Sequence, residues 1–171
     1  MLFRSITKRK TYFLNAQNSL GTSTTYMELV VNPSVPGAMQ LLDIYPGSDS
    51  DTDSTPSKFV HLNGVNYFVA TDGSAGLELW KSEGPGNAAM VIDLNPGIGN
   101  GTISNLTVFD NKLFFTGNDG STGVELYVTD GTEDGTLLVK DINIGSASST
   151  PTNFMVSNGF LFFVASNGAD G

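Results

Sequence analysis

The chain has 171 residues, 39% of them hydrophobic, and carries a formal charge of −9; from residue 11 onward four lysines face 17 acids, which weighs against a nucleic-acid partner because an acidic surface repels phosphate backbones. No apolar run approaches the roughly 20 residues a membrane helix needs, so no membrane span is expected. There is no cysteine, which removes disulfides and thiolate chemistry, and with a single histidine, His61, the sequence offers no zinc site of ordinary type and no convincing Ser–His–acid triad.

Residues 1–10 hold four of the eight basic residues and read as a lead-in without an apolar segment of signal-peptide length behind it. The segment Tyr12–Ala16 matches the aromatic strands seen later at Tyr67–Ala70 and Phe162–Ala165, so residues 1–25 are expected to hold the lead-in and the last strand of a preceding repeat. From there the chain repeats itself. Glu28, Glu78 and Glu125, spaced 50 and 47 residues apart, each precede a Leu; Asp43, Asp93 and Asp141 follow apolar runs; aromatic pairs recur at Tyr67-Phe68, Phe114-Phe115 and Phe162-Phe163. A fixed period in this range marks a repeat architecture. The units are a degenerate first repeat at 26–76, a second at 77–123 and a third at 124–171.

Each unit reads as four strands. In the third, Val124–Thr129 alternates apolar and polar residues, Leu137–Ile142 and Asn153–Ser157 follow, and Phe160–Ser166 closes the unit. Asn63-Gly64, Asp110-Asn111 and Asn158-Gly159 are hairpin signals, because both central positions of a type I′ turn need positive φ. Gly or Pro interrupts every run long enough for a helix. Strands such as Phe160–Ala165 are apolar at consecutive positions, which implies cover on both faces. Four-stranded units stacked face to face supply that cover. The expected fold is therefore all-β, with about three four-stranded antiparallel repeats of 47–50 residues arranged as β-propeller-like blades. Propellers have about 4–8 blades, so three units predict an incomplete propeller, with self-association through exposed blade faces.

At Glu125-Leu126-Tyr127-Val128-Thr129-Asp130-Gly131-Thr132 the chain resembles the bacterial repeat family named for its ELWxxDGT signature. Gly135–Asn143 fits the strand that commonly follows it, Asn95-Pro96-Gly97 the turn after that, and Glu78-Leu79-Trp80 a second copy of the motif in which Glu83 and Pro85 replace Asp and Thr. Glu28-Leu29-Val30 has lost the aromatic and the Asp-Gly-Thr. The resemblance covers about residues 26–171. It implies a propeller-like module of large secreted or cell-surface bacterial proteins, placed outside the cell, and no catalytic residues to carry over.

Few residues suggest chemistry. Asp49, Asp51 and Asp53 have the spacing that opens an EF-hand loop, but Ser54 and Val60 stand where its Gly and bidentate Glu belong; the cluster reads either as a solvated loop or as a Ca²⁺ site. Trp80 and Tyr127 occupy equivalent positions and read either as packing between blades or as a stacking platform for a ligand. The recurring glutamates read as structural, and no catalytic constellation is expected. The expected function is a non-catalytic structural or binding module that engages protein or carbohydrate through the loop-built ends of its blades. The alternatives are a fragment of a propeller hydrolase with its catalytic residues elsewhere, and a calcium-stabilised adhesin repeat.

Overall fold

A computed structural model describes the backbone of residues 14–17 and 23–26, and residues 44–45, 54–84 and 86–169 in full. The metal candidates Asp49, Asp51 and Asp53, and Glu28 of the first repeat, lie outside the described residues. The described chain is all-β, and every strand pairing is antiparallel. A hairpin of β1 (Leu14–Gln17) and β2 (Ser23–Tyr26) comes first. Then β3 (Ser57–Leu62), β4 (Val65–Ala70), β5 (Glu78–Gly84) and β6 (Asn87–Ile92) form a four-stranded meander in sequence order. A second meander joins β7 (Ser104–Phe109), β8 (Lys112–Asn118), β9 (Val124–Thr129) and β10 (Leu137–Lys140). Finally, β11 (Thr152–Ser157) pairs with β12 (Phe160–Val164).

The four-stranded sheets are out of phase with the sequence units. Each contains the last two strands of one unit and the first two of the next, so the sheet over 57–92 straddles the boundary at 76/77 and the sheet over 104–140 that at 123/124. The period itself stands, since a period has no intrinsic starting point. What differs from the sequence reading is which four strands share hydrogen bonds: a tight hairpin joins β3 to β4 and β7 to β8, while the long loop after β6 or β10 separates sheets.

Two-sided burial holds. Tyr67, Phe68, Val69 and Ala70 in β4 are all buried although alternate side chains point to opposite faces. Tyr67, Val69 and Leu79 join one core with Leu113, Phe115 and Tyr127 of the second sheet. Phe68, Ala70 and Trp80 join a separate core with Ile44. Phe115 and Tyr127 are the repeat equivalents of Phe68 and Trp80, so each sheet turns the same face back along the chain and the opposite face forward. Cross-strand partners confirm the equivalence: Phe68 pairs with Trp80 as Phe115 pairs with Tyr127, and the latter rings stack with centroids 5.8 Å apart. Burying each of these side chains contributes about 1.5–3 kcal/mol relative to leaving it in water.

The backbone repeats as closely as the side chains. The three expected hairpin turns have positive φ at both central residues, Asn63-Gly64, Asp110-Asn111 and Asn158-Gly159. The first strand of each of the last three sheets carries a bulge containing a positive-φ residue, Lys58 (φ 55), Asn105 (φ 53) or Asn153 (φ 57). Bulges re-aim side chains, and here they aim a donor at the following unit: Lys58 Nζ donates to the Ile103 carbonyl at 2.6 Å and Asn105 Nδ2 to the Pro151 carbonyl at 3.1 Å. Further cross-links run from Lys81 Nζ to the Gly131 carbonyl (2.7 Å) and from Asn63 Nδ2 to Asn111 Oδ1 (2.9 Å).

The bulge geometry predicts a graded response at position 105. Asn105→Val places a β-branched residue at positive φ and removes the donor, so it is expected to destabilise the chain by about 2–3 kcal/mol in urea unfolding. Asn105→Gly loses the same donor but relieves the φ, and a stability loss equal to that of the Val variant would show that the bulge is not strained.

Candidate functional site: the glutamate-pinned loops

Where the sheets end, the chain runs through two equivalent loops, 93–101 and 141–149, and each is organised by the recurring glutamate. Glu78 and Glu125 lie on β5 and β9, opposite Ala70 and Gly117, and both are 0% exposed. Burying a carboxylate is costly unless it is hydrogen-bonded. Glu78 Oε2 accepts from the Leu94 N–H (2.9 Å) and Oε1 from the Gly101 N–H (2.6 Å). Glu125 accepts from the N–H groups of Ile142 (3.1 Å), Asn143 (3.4 Å) and Ser149 (2.8 Å), and from the Ser149 hydroxyl (2.5 Å). The bond to Ile142 also explains why β10 stops at Lys140, short of the expected Ile142: that N–H has been drawn out of the ladder. A Cβ at position 101 would lie 2.5 Å from Glu78 Oε2, so a side chain there requires the carboxylate to shift; the equivalent Ser149 instead donates its hydroxyl to Glu125.

Secondary contacts complete each loop in the same way. Asn95 Nδ2 donates to the Asn100 carbonyl (3.2 Å) and Asn143 Nδ2 to the Ser148 carbonyl (3.1 Å). Asp93 Oδ2 accepts from the Gly97 N–H (3.2 Å) and Asp141 Oδ2 from the Gly145 N–H (3.0 Å). The other carboxylate oxygen, Oδ1, of both aspartates is buried with no hydrogen-bond partner. Burial, reinforced by the nearby Asp93 charge, raises Glu78 to about 7 against the pull of its backbone donors.

The adjoining Asp-Gly turns bond to themselves. Asp72 Oδ1 accepts from the N–H groups of Ser74 and Ala75, and Asp119 Oδ1 from those of Ser121 (2.8 Å) and Thr122 (2.7 Å). Burial opposes ionisation of Asp119, but these backbone donors and the Ser121 and Thr122 hydroxyls outweigh it and hold the carboxyl at about 2. Asp130 accepts in the same manner from Thr132, through both N–H and hydroxyl. The carboxylates that recur along the chain are therefore engaged with their own backbone. Among the described residues no three His, Cys, Asp or Glu side chains come together as metal ligands.

Trp80 and Tyr127 are 7% and 4% exposed; Tyr127 lies in the core between the two four-stranded sheets, and Trp80 clusters with Phe68, Ala70 and Ile44. Both rings are largely withdrawn from solvent. Tyr127 keeps its hydroxyl 3.4 Å from Thr122 Oγ1, whereas Ala75 stands at the equivalent position beside Trp80, whose Nε1 has no partner. His61 is exposed and sits 2.9 Å from Asn66 Oδ1 across the β3–β4 hairpin.

Two residues that the sequence reading passed over stand out. Ile98 and Ile144 project from the pinned loops and are 89% and 87% exposed. The signal available in the sequence was an isolated large apolar residue inside a Gly-, Asn- and Ser-rich loop. Comparison with protein-family models, curated proteins and solved structures finds no match for this chain.

The pinning predicts distinct phenotypes. Glu125→Ala strands several buried N–H groups, each costing about 1–3 kcal/mol, and is expected to lower Tm by roughly 10 °C. Glu125→Gln keeps one acceptor and should fall in between. For Glu78, a folded-state value of about 7 lies above the ordinary carboxylate value, so the folded state binds the extra proton. Its contribution is present at low pH and declines as pH rises from about 4.5 to about 7. Asp119 has the opposite sign: its contribution is present above about 4 and lost as pH falls toward 2. Melts across pH 4.5–7.5 should show Tm falling with pH, and Glu78→Gln should flatten that slope. An unchanged slope in the variant would exclude Glu78 as its source.

Proposed function

We propose that this chain is a non-catalytic binding and structural module, built of β-propeller-like blades, of a secreted or cell-surface bacterial protein. The two four-stranded sheets with equivalent faces, packed one on the other through a shared core, support the blade reading, and so does the adjacency of β3 to β7 and of β7 to β11, as expected of strands nearest a shared axis. The likeness of Glu125–Thr132 to the ELWxxDGT signature supports the extracellular bacterial setting.

The observation that carries the binding role is the pair of loops 93–101 and 141–149. Many of their polar groups hold the loop shape, and each loop also presents a highly exposed isoleucine. Rigid loops lose little entropy on binding, and an exposed apolar side chain on such a loop suits contact with a protein surface or with the apolar face of a sugar.

The test is to screen the purified chain against an immobilised glycan array and a displayed peptide library. Binding to a member of either is expected, weakened at least tenfold in the Ile98→Ser/Ile144→Ser double variant with its melting curve unchanged. Binding indifferent to both isoleucines would remove the loop assignment, and hydrolysis of an arrayed glycan by the chain alone would replace a binding module with a hydrolase.

A further inference from the structure

We infer that loop 93–101 is a proton-controlled latch, held closed by Glu78 in acid and loosened as the medium turns neutral, and that a single hydroxyl missing at position 101 makes it so. The two pinned loops are built alike but their glutamates are not compensated alike. Glu125 accepts from the N–H groups of Ile142, Asn143 and Ser149 and from the Ser149 hydroxyl. Glu78 accepts from the equivalent N–H groups of Leu94 and Gly101, with Asn95 N–H contributing less, and glycine has no hydroxyl to add. Both carboxyl groups are 0% exposed, so water does not make up the difference.

The groups packed around Glu78 add acids and no compensating cation. Asp93, in the loop that Glu78 pins, opposes its ionisation, and Asp93 Oδ1 is itself buried with no hydrogen-bond partner. On β4 the residue opposite is Ala70; Asp72, just beyond it, is closed on the N–H groups of Ser74 and Ala75. From the second sheet, Gly117 packs against Leu94 and Gly120 against Asn95, and the neighbouring Asp119 is held by Ser121 and Thr122. The lysines of the adjoining strands are engaged elsewhere, Lys58 with the Ile103 carbonyl and Lys81 with the Gly131 carbonyl. A buried carboxyl group with few donors and a like charge nearby favours its neutral form.

The closed loop therefore holds a proton that an opened loop, with Glu78 in water, releases. Burial keeps that proton on Glu78 up to about 7, against an ordinary carboxylate value of 4.5. Closure is favoured in full below about 4.5 and weakens as the pH rises through about 7. Each pH unit in that window shifts the equilibrium tenfold toward opening, so opening is expected to rise on the order of 100-fold across it. The segment released carries Ile98, so the latch regulates part of the surface given the binding role. That consequence rests on the binding reading, whereas the latch itself needs no ligand.

The experiment is amide hydrogen exchange of the full chain without ligand, followed residue by residue by NMR from pH 4.5 to 7.5 and corrected for the intrinsic rate. Protection of the Leu94 and Gly101 amides is expected to fall on the order of 100-fold more than that of the Ile142 and Ser149 amides. Glu78→Gln keeps an acceptor and cannot titrate, so it should abolish that excess. Gly101→Ser supplies the missing hydroxyl and should remove most of it, the carboxylate shifting to make room. Ser149→Gly should give the second loop the pH dependence of the first. If a substitution at 78 or 101 fails to fold, the contrast between the two loops and Ser149→Gly decide. Equal falls in the two loops, an excess that survives Glu78→Gln or Gly101→Ser, or a second loop indifferent to Ser149→Gly overturns the latch. Ile98→Ser/Ile144→Ser leaves these exchange rates unchanged, so the latch and the binding role fail separately.

Discussion

A carboxylate buried at the start of the third strand of each four-stranded sheet, accepting hydrogen bonds from the loop that leads to the next sheet, is the constraint on which the rest of the molecule depends. Glu78 and Glu125 each hold a loop of nine residues by both of its ends. Without that hold the loop would cost conformational entropy with few apolar contacts to offset it. With it, the first strand of the following sheet starts at a defined height, and its bulge is positioned to receive the cross-link from the preceding unit. Lys58 and Asn105 reach the carbonyls of Ile103 and Pro151 because residues 101 and 149, two positions earlier, are already pinned.

The second organising factor is that every sheet needs a neighbour on each side. The strands β4 and β8 are apolar on both faces, so a single open sheet would leave half of them wet. Stacking equivalent faces in one direction is the arrangement that satisfies identical units, since the forward face of one meets the backward face of the next. In the last hairpin Phe160, Phe162, Phe163 and Val164 are exposed among the described residues, where the equivalent positions of the four-stranded sheets are covered.

The polar residues that recur along the chain divide cleanly by role. Glutamates fasten loops, aspartates close turns on their own backbone, and asparagines bridge the two ends of each loop. Because these groups are committed to the backbone, the outward chemistry of the module falls to what the loops carry at their tips, and Ile98 and Ile144 are the large residues there.

The all-β class, the period, the three hairpin turns and the need for cover on both strand faces were legible in the sequence, because period-two alternation, Asn-Gly pairs and consecutive apolar residues are local signals that act through short-range sterics and burial. So was the structural character of Glu78 and Glu125, since a carboxylate repeated at one place in every unit has a neighbour that repeats with it. Three features were decided only by tertiary structure. The phase of the sheets relative to the units depends on which loops close within a sheet and which cross between sheets, and a periodic sequence carries no starting point. The partners of the glutamates lie 16 to 24 residues away along the chain, at separations that no local pattern encodes. And the burial of Trp80 and Tyr127 beside the exposure of Phe163, Ile98 and Ile144 follows from which faces find a neighbouring sheet, a matter of what is packed against a residue and not of the residue itself.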